Sequence, residues 1–213
     1  MKMNSIASIC KKRKNITLFE RRPESGDVQQ YISDGFAVYP IVGLPYLTEE
    51  SILTIFDVAE KEREKWIVRH ADLPEGLNFE DTDVNEVTIG ESVISIAYGG
   101  TVLKPLYTPG GMTFIESRYL VPLKDVMDVL QLYERRTETG TPYIVAKAGF
   151  LLQAVILPHD VINETFVEKL SDVAKQTEEA FKKKKQLRQP EDAAQMTMDV
   201  DPETGEVLEG EAE

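Results

Sequence analysis

Residues 142–157 read PYIVAKAGFLLQAVIL, the longest apolar stretch of the chain, and one turn signal divides it. Tyr143-Ile144-Val145 leads into Lys147-Ala148-Gly149, where the glycine can adopt the left-handed conformation of a three-residue hairpin turn. Residues 150–157 lead out again, and Gln153 alone interrupts their apolar run. The pattern predicts a β-hairpin whose second strand is buried on both faces in the middle of a sheet.

Earlier turn signals predict further hairpins. Asp34-Gly35, a favoured hairpin dipeptide, lies at the centre of residues 29–41, and Gly99-Gly100 divides residues 93–107. Residues 112–117 follow as another strand. The sequence therefore predicts an antiparallel sheet built from hairpins.

Four segments have the apolar spacing of helices. They are residues 4–12, a segment that Thr48 caps, residues 122–136 with Pro122 in the first turn, and a long helix that Asn163 caps. The predicted fold class is α+β, with three to four helices packed on the antiparallel sheet.

The formal net charge of −13 is unevenly distributed along the chain. Residues 186–213 hold nine carboxylates against one arginine, and their apolar periodicity is lost. This composition predicts a disordered acidic tail after a mildly acidic globular body, residues 1–185.

Two regions of the body share an order of elements: helix, strand, turn ending in Gly-Phe, strand, proline, helix. They lie within residues 1–60, with Gly35-Phe36, and residues 112–181, with Gly149-Phe150. An internal duplication is one explanation. The other is that hairpins next to helices are common in α+β domains.

Several classes of protein lack their sequence signatures here. No apolar run is long enough to span a membrane, and the N-terminal residues do not have the pattern of a signal peptide, so we expect a cytoplasmic protein with no membrane partner. One cysteine, Cys10, excludes internal disulfides. The motifs of zinc proteases, serine hydrolases, nucleotide phosphate loops and dinucleotide folds are absent.

Candidate catalytic and metal-binding residues are few. The two histidines, His70 and His159, lie in different segments, and Cys10 has the pattern of a small core residue. Asp81, Asp83 and Asn85 resemble the start of a calcium-binding loop, but Glu86 and Ser92 occupy positions that need glycine and a bidentate glutamate. We therefore predict a non-enzymatic protein with no metal and no cofactor.

Basic clusters are the candidate contacts for nucleic acid or phosphate. They comprise Lys11, Lys12, Arg13, Lys14, Arg21, Arg22, Lys182, Lys183, Lys184 and Lys185. Tyr31, Tyr39 and Tyr98 are candidate stacking platforms. In the alternative interpretation, lysines at a helix C-terminus complement the helix dipole and stay solvated.

An acidic segment is the candidate surface for a protein partner. Residues 71–85 are polar and are predicted to form a mobile loop. The partner-binding carboxylates would be Glu80, Asp81, Asp83 and Glu86.

Two resemblances bear on function. The duplicated layout of strands and helices resembles that of DNA sliding clamps, whose repeated units assemble into rings with helices lining the hole. The tail, with DPETGEVLE at residues 201–209, is similar to those of uncharacterised proteins from phage and prophage replication and recombination modules. The first resemblance implies a ring, and the second implies a DNA-metabolism context.

These features lead to three functional hypotheses. The preferred one is a non-enzymatic accessory protein of phage or prophage DNA metabolism that contacts a host or phage protein and also DNA. The first alternative is an anti-defence inhibitor of a host nuclease, of the anti-CRISPR kind, acting through the acidic loop. The second is a sliding-clamp-like processivity factor, which requires a homo-oligomer.

Overall fold

The computed structural model describes residues 3–22, 26 and 28–187, so most of the predicted acidic tail lies outside the described residues. The chain divides into two compact units, Met1–Asp160 and Val161–Glu213. In the second unit, α4 (Glu164–Leu187) is the long predicted helix, and its last two residues fall within the segment predicted as tail. The side chain of Asn163 caps this helix by accepting the N–H of Phe166 at 3.0 Å.

The first unit contains the remaining described helices and strands. In chain order these are α1 (Met3–Arg13), β1 (Asn15–Arg21), β2 (Gln29–Ser33), β3 (Ala37–Ile41), α2 (Glu49–Ile55), α3 (Glu60–Arg63), β4 (Ile67–Asp72), β5 (Val87–Thr88), β6 (Gly90–Glu91), β7 (Ile96–Tyr98), β8 (Thr101–Thr108), β9 (Gly111–Glu116), a 3₁₀ helix (Ser117–Val129), β10 (Leu130–Arg136), β11 (Pro142–Ala148) and β12 (Leu151–Ile156).

Most strands join one large sheet, in the order β4-β1-β2-β3-β12-β11-β10-β5. The strand of the opening stretch, β12, lies near its middle and pairs with both β11 and β3, as the apolar run predicts. The turn of the β2–β3 hairpin is held by Asp34, whose Oδ1 accepts the N–H groups of Phe36 and Ala37, each at 3.1 Å.

The α+β prediction is confirmed at the level of a large sheet with a few helices, but its details need correction. The large sheet is mixed, because β4 pairs parallel to β1. The predicted strands between residues 93 and 117 form a second sheet, in which β8 pairs with β6, β7 and β9. The described residues contain five helices, one of them a 3₁₀ helix, instead of three to four.

The predicted helix over residues 122–136 is wrong in its second half. Residues 117–129 form the 3₁₀ helix, and residues 130–136 form β10, which pairs with β11 along its whole length. Residues 130–136, LQLYERR, have apolar residues at a spacing that is compatible with a helix or a strand. They form a strand because they pair with the buried strand β11.

Each face of the large sheet has its own core. On one face, α1 and the 3₁₀ helix contribute Ile6, Ile9, Leu120 and Leu123 to a cluster that includes Leu18 of β1. On the other face, a smaller cluster includes Tyr31, Tyr143, Val145 and Val155, and Phe79 completes it. Phe79 belongs to residues 73–86, which we call the strap because they cover this face between β4 and β5.

Two three-stranded meanders make up the centre of the sheet. The N-terminal meander is β1–β3 and the C-terminal meander is β10–β12. All neighbouring strands from β1 to β10 in the sheet order are antiparallel, so an approximate twofold axis at the β3–β12 contact relates the two meanders. A helix precedes each meander on the same face of the sheet. A duplication would produce this layout, and the duplication itself stays a prediction.

Candidate functional site

The basic run at the end of α1 is the candidate nucleic-acid contact, and the structure leaves most of it in solvent. Lys11, Lys12 and Arg13 occupy the last turn of α1 and are exposed. The Arg13 guanidinium lies 4.2 Å from the ring centroid of Phe36. Lys14 ends the helix in a left-handed conformation, with φ of 50°, which redirects the chain into β1. Within the described residues, Lys11 and Lys12 have no ion-pair partner.

Lys14, the last residue of this run, and the predicted arginines at residues 21–22 each have an ion-pair partner. Lys14 Nζ lies 3.1 Å from Glu62, and Arg21 pairs with Glu80. Arg22 lies 3.9 Å from Glu20. Arg21 is at the far end of β1 from Lys14, about 20 Å away at the rise of an extended strand. The run at residues 11–14 and the pair at residues 21–22 therefore form two separate surfaces.

The predicted lysine cluster Lys182, Lys183, Lys184 and Lys185 belongs to the second unit, on α4. All four lysines are exposed, and Lys182 makes an ion pair of 2.7 Å with Glu178 one turn earlier.

Two of the three predicted stacking tyrosines are buried, so that part of the prediction is wrong. Tyr39 is in the core and its hydroxyl donates to the carbonyl of Tyr119 at 2.8 Å. Tyr31 packs edge-on against Phe79, with ring centroids 5.4 Å apart. Tyr98 is half-buried on β7. Both tyrosines lie on central strands, and the sheet is covered on both faces there. A side chain on either face of such a strand is therefore buried.

The acidic residues predicted to bind a partner lie in the strap, and each has an intramolecular partner. Glu86 accepts from Lys147 Nζ at 2.6 Å and from Arg135 Nη2 at 2.6 Å. Burial alone raises the pKa of the Glu86 carboxyl, but the hydrogen bonds from Lys147 and Arg135 outweigh burial and hold the pKa below its ordinary value. The segment predicted as a mobile loop is thus anchored at its C-terminal end.

Further contacts anchor the rest of the strap. Asp81 Oδ1 accepts the N–H of Leu152 at 2.8 Å, and Asp83 accepts from Asn78 Nδ2 at 2.8 Å. Hydrogen bonds from the Asn85 backbone and the Asn78 amide lower the pKa of Asp83. The partner-binding role of these carboxylates stays a prediction, and any change to them also changes how the strap is held.

Arg135 is the main residue that the sequence reasoning missed. Its side chain is 0% exposed, and its Nη1 donates to the carbonyls of Asn78 at 3.0 Å and Glu80 at 2.8 Å. Lys147, predicted to lie in a turn, is also buried, with Nζ 4.7 Å from the ring centroid of Tyr133. Together with Glu86, these cations form a buried ionic network between the strap and the C-terminal meander.

A motif that occurs twice in the sequence relates Arg135 to Arg21. Residues 18–26 read LFERRPESG and residues 132–140 read LYERRTETG, identical at six of nine positions and 114 residues apart. The same spacing relates Gly35-Phe36 to Gly149-Phe150. The structure places the two Glu-Arg-Arg triplets at equivalent positions on β1 and β10, so Arg21 and Arg135 are counterparts.

The counterparts make similar contacts. In each triplet the second arginine pairs with the glutamate, Arg22 with Glu20 and Arg136 with Glu134 at 2.7 Å. The first arginine of each triplet contacts the strap at Glu80, Arg21 through the side chain and Arg135 through the backbone carbonyl.

The residues of the C-terminal half that correspond to the basic run at residues 11–14 are not basic. At the same spacing of 114 residues, Lys11-Lys12-Arg13-Lys14 corresponds to Asp125-Val126-Met127-Asp128 at the end of the 3₁₀ helix. The positive charge is therefore confined to one of two otherwise similar elements.

Among the described residues, the histidines and the cysteine that could carry out chemistry lie apart from one another. His159 Nδ1 lies 3.6 Å from Glu116, and His70 Nδ1 lies 3.5 Å from Glu20, at separate places in the fold. Burial raises the pKa of the Cys10 thiol to about 12, which keeps it protonated and unreactive. No group of three or more candidate metal ligands is found in the described part of the chain.

Comparisons with known proteins give no further identification: no family model, no curated protein and no solved structure matches the chain. Among the described helices, none is long and apolar enough to cross a membrane.

Proposed function

We propose that the protein is a non-enzymatic accessory protein of phage or prophage DNA metabolism that binds DNA through the end of α1. One observation carries the DNA component: Lys11 and Lys12 are exposed side by side on the last helical turn, and within the described residues no carboxylate neutralises them. Unpaired surface cations are the groups that exchange counterions for DNA phosphates.

The test is salt-dependent binding of a fluorescently labelled DNA duplex to the full chain, measured by anisotropy between about 50 and 200 mM salt. The Lys11→Gln/Lys12→Gln variant is expected to bind less tightly and to lower the salt slope by about 2, because each phosphate that a lysine neutralises contributes roughly 0.9 to the slope. Deleting residues 186–213, which hold nine carboxylates, is expected to strengthen binding because it removes negative charge.

The matched control is Lys169→Gln/Lys175→Gln, which removes the same charge from exposed positions of α4. An equal loss of affinity in both double variants would mean that net charge, and no particular surface, governs binding. Absence of binding by both the full chain and the shortened chain would refute the DNA component.

A second candidate is a sliding-clamp-like assembly, which the approximate twofold arrangement of the two meanders favours. The repeated LFERR and LYERR segments support it as well. The charge reversal between residues 11–14 and 125–128 departs from a ring lined evenly by basic helices. Light scattering at high protein concentration tests this candidate, and a monomer at every concentration would exclude it.

A further inference from the structure

The two meanders meet along the β3–β12 contact, which we call the seam, and the seam is closed at one end only. Val38 pairs with Val155 and Ala37 with Ile156. Beyond Val38, residues 39–41 pair with β2 and, within the described residues, with no residue of β12. A groove of about 970 Å³ occupies the open end. Its lining includes Ile41 and Val42 on one side and Leu151 and Leu152 on the other.

Two departures from the symmetry of the meanders keep the seam open. Lys147 pairs with Leu152 while Ala146 pairs with Ala154, so Gln153 is an extra residue that forms a bulge in β12. Pro40 lies on β3. The carbonyl of Phe36 accepts a hydrogen bond from the N–H of Leu157, so the backbone groups of Phe36 face β12. Because backbone direction alternates along a strand, the nitrogen of Pro40, four residues later, faces β12 as well. A proline nitrogen donates no hydrogen bond, so the ladder cannot continue there.

At the open end of the seam, a side chain accepts a backbone hydrogen bond that strand pairing would otherwise use. The N–H of Leu152 lies at the bulge and donates to Asp81 of the strap at 2.8 Å. Across the groove, the chain after β3 is held by Gln30, whose amide nitrogen donates to the Leu47 carbonyl at 3.0 Å and whose amide oxygen accepts the Leu47 N–H at 2.6 Å. The strap therefore holds the β12 side of the groove, and the chain that leaves the β3 side is held at Leu47.

The rim of the groove exposes apolar side chains that a soluble surface ordinarily covers. Val42 is 82% exposed and Leu151 is 61% exposed, and Leu44 adds to the same rim. An apolar rim around a preformed groove is typical of a protein-binding site. The four strand positions from Tyr39 to Val42 span about 13 Å, which matches a peptide of four or five extended residues.

The charges of the lining indicate the chemistry of the occupant. Arg21 is neutralised by Glu80, and both line the groove together with Asp81. These three groups sum to one negative charge, so an occupant with a basic side chain is favoured over an acidic one.

We propose that the groove at the open end of the seam binds an extended segment of a partner protein, with alternating apolar side chains that contact the rim and at least one basic residue that faces Glu80 and Asp81. This inference rests on the part of the proposed function that assigns protein contacts. It is independent of the DNA contact at Lys11 and Lys12, so either can fail while the other holds.

The probe is a fluorescently labelled peptide of alternating valine and threonine flanked by lysines. Saturable binding to the full chain is expected with a Kd on the order of 10 to 100 μM. The variants Val42→Lys and Leu151→Lys remove apolar contact and place on the exposed rim a charge that repels the lysines of the peptide, so they are expected to weaken binding at least about tenfold. Val93→Lys is the matched control, because Val93 is also an exposed apolar side chain and is not part of the groove lining.

Three results would overturn the proposal. The first is no saturable binding by the folded wild-type chain up to about 1 mM peptide. The second is equal binding of a peptide flanked by glutamates, which contradicts the stated partner chemistry. The third is a concentration-dependent dimer that Leu151→Lys dissociates, because a second copy would then fill the groove.

Backbone amide shifts in NMR spectra test the binding mode. Occupation of the groove is expected to shift the amides of Ile41, Val42 and residues 151–153, which line it. Shifts confined to other surfaces would show that the peptide binds elsewhere and would refute the site.

Discussion

The N-terminal and C-terminal meanders share a topology and a sequence motif, but they differ in what their equivalent residues do. Arg21 is partly exposed and makes one ion pair with the strap, whereas Arg135 is fully buried and bonds to Glu86 and to two strap carbonyls. The basic run of residues 11–14 corresponds to residues 125–128, where two acidic residues flank Val126 and Met127.

The difference separates the roles of the two halves. The motif that both halves retain holds the strap, so it serves the fold. The features that only one half has, the lysines of α1, Pro40 and the Gln153 bulge, are those on which the two proposed binding sites rest. Comparison of equivalent positions therefore distinguishes structural residues from candidate functional ones.

The largest expected effect is at the two equivalent arginines. Arg135→Ala is expected to lower the free energy of unfolding by about 3 to 5 kcal/mol, because it leaves buried Glu86 and two strap carbonyls without their partner. Arg21→Ala removes a solvent-exposed ion pair and is expected to cost about 1 kcal/mol or less. Urea denaturation measures both changes, and equal losses would contradict the asymmetry between the meanders.

A smaller effect is expected from pH. The pKa of Glu86 is lowered in the folded protein, so its contribution to stability is present above the unfolded pKa of about 4.3 and is lost as the pH falls through the folded pKa. The difference in unfolding free energy between wild type and Glu86→Gln is expected to narrow between neutral pH and about pH 3. A constant difference across this range would mean that the charge on Glu86 does not hold the strap.

The smallest effect distinguishes the two turn phenylalanines. Phe36 packs under Arg13, and Phe36→Ala is expected to cost about 1 to 2 kcal/mol of stability. Phe150, its counterpart, is 83% exposed, so Phe150→Ala is expected to change stability by about 0.5 kcal/mol or less. Thermal unfolding of the two variants makes the comparison, and a larger loss at Phe150 would show that its turn is covered in solution.

The sequence predicted the parts of the fold that depend on local turn chemistry. Asp34-Gly35 lies in a hairpin turn and Asn163 caps α4, both as expected. The C-terminal hairpin also forms, but the prediction of its turn was wrong: the turn is Gly149-Phe150 and not Lys147-Ala148-Gly149, because Lys147 and Ala148 pair with Leu152 and Leu151. The parallel pairing of β4 with β1 was not predicted, because it joins residues about 50 positions apart and no local pattern specifies it.

The candidate sites were predictable to different degrees. Exposure of Lys11 and Lys12 follows from their place after the apolar face of α1. Burial of Arg135 could not be inferred from composition, since a charged side chain is exposed by default and only the folded strap supplies its partners. The open seam depends on two strands more than a hundred residues apart, so neither Pro40 nor Gln153 revealed it alone.

The seam also bears on how the chain folds. Each meander pairs strands that are close in sequence and can form early, whereas the seam closes a loop of more than a hundred residues through only two pairs, Ala37–Ile156 and Val38–Val155. We expect the meanders to be separate cooperative units that dock late, and the seam to open before either meander in hydrogen exchange. A segment bound in the groove would then act as a staple between the two meanders, whose strand pairing there consists of two residue pairs.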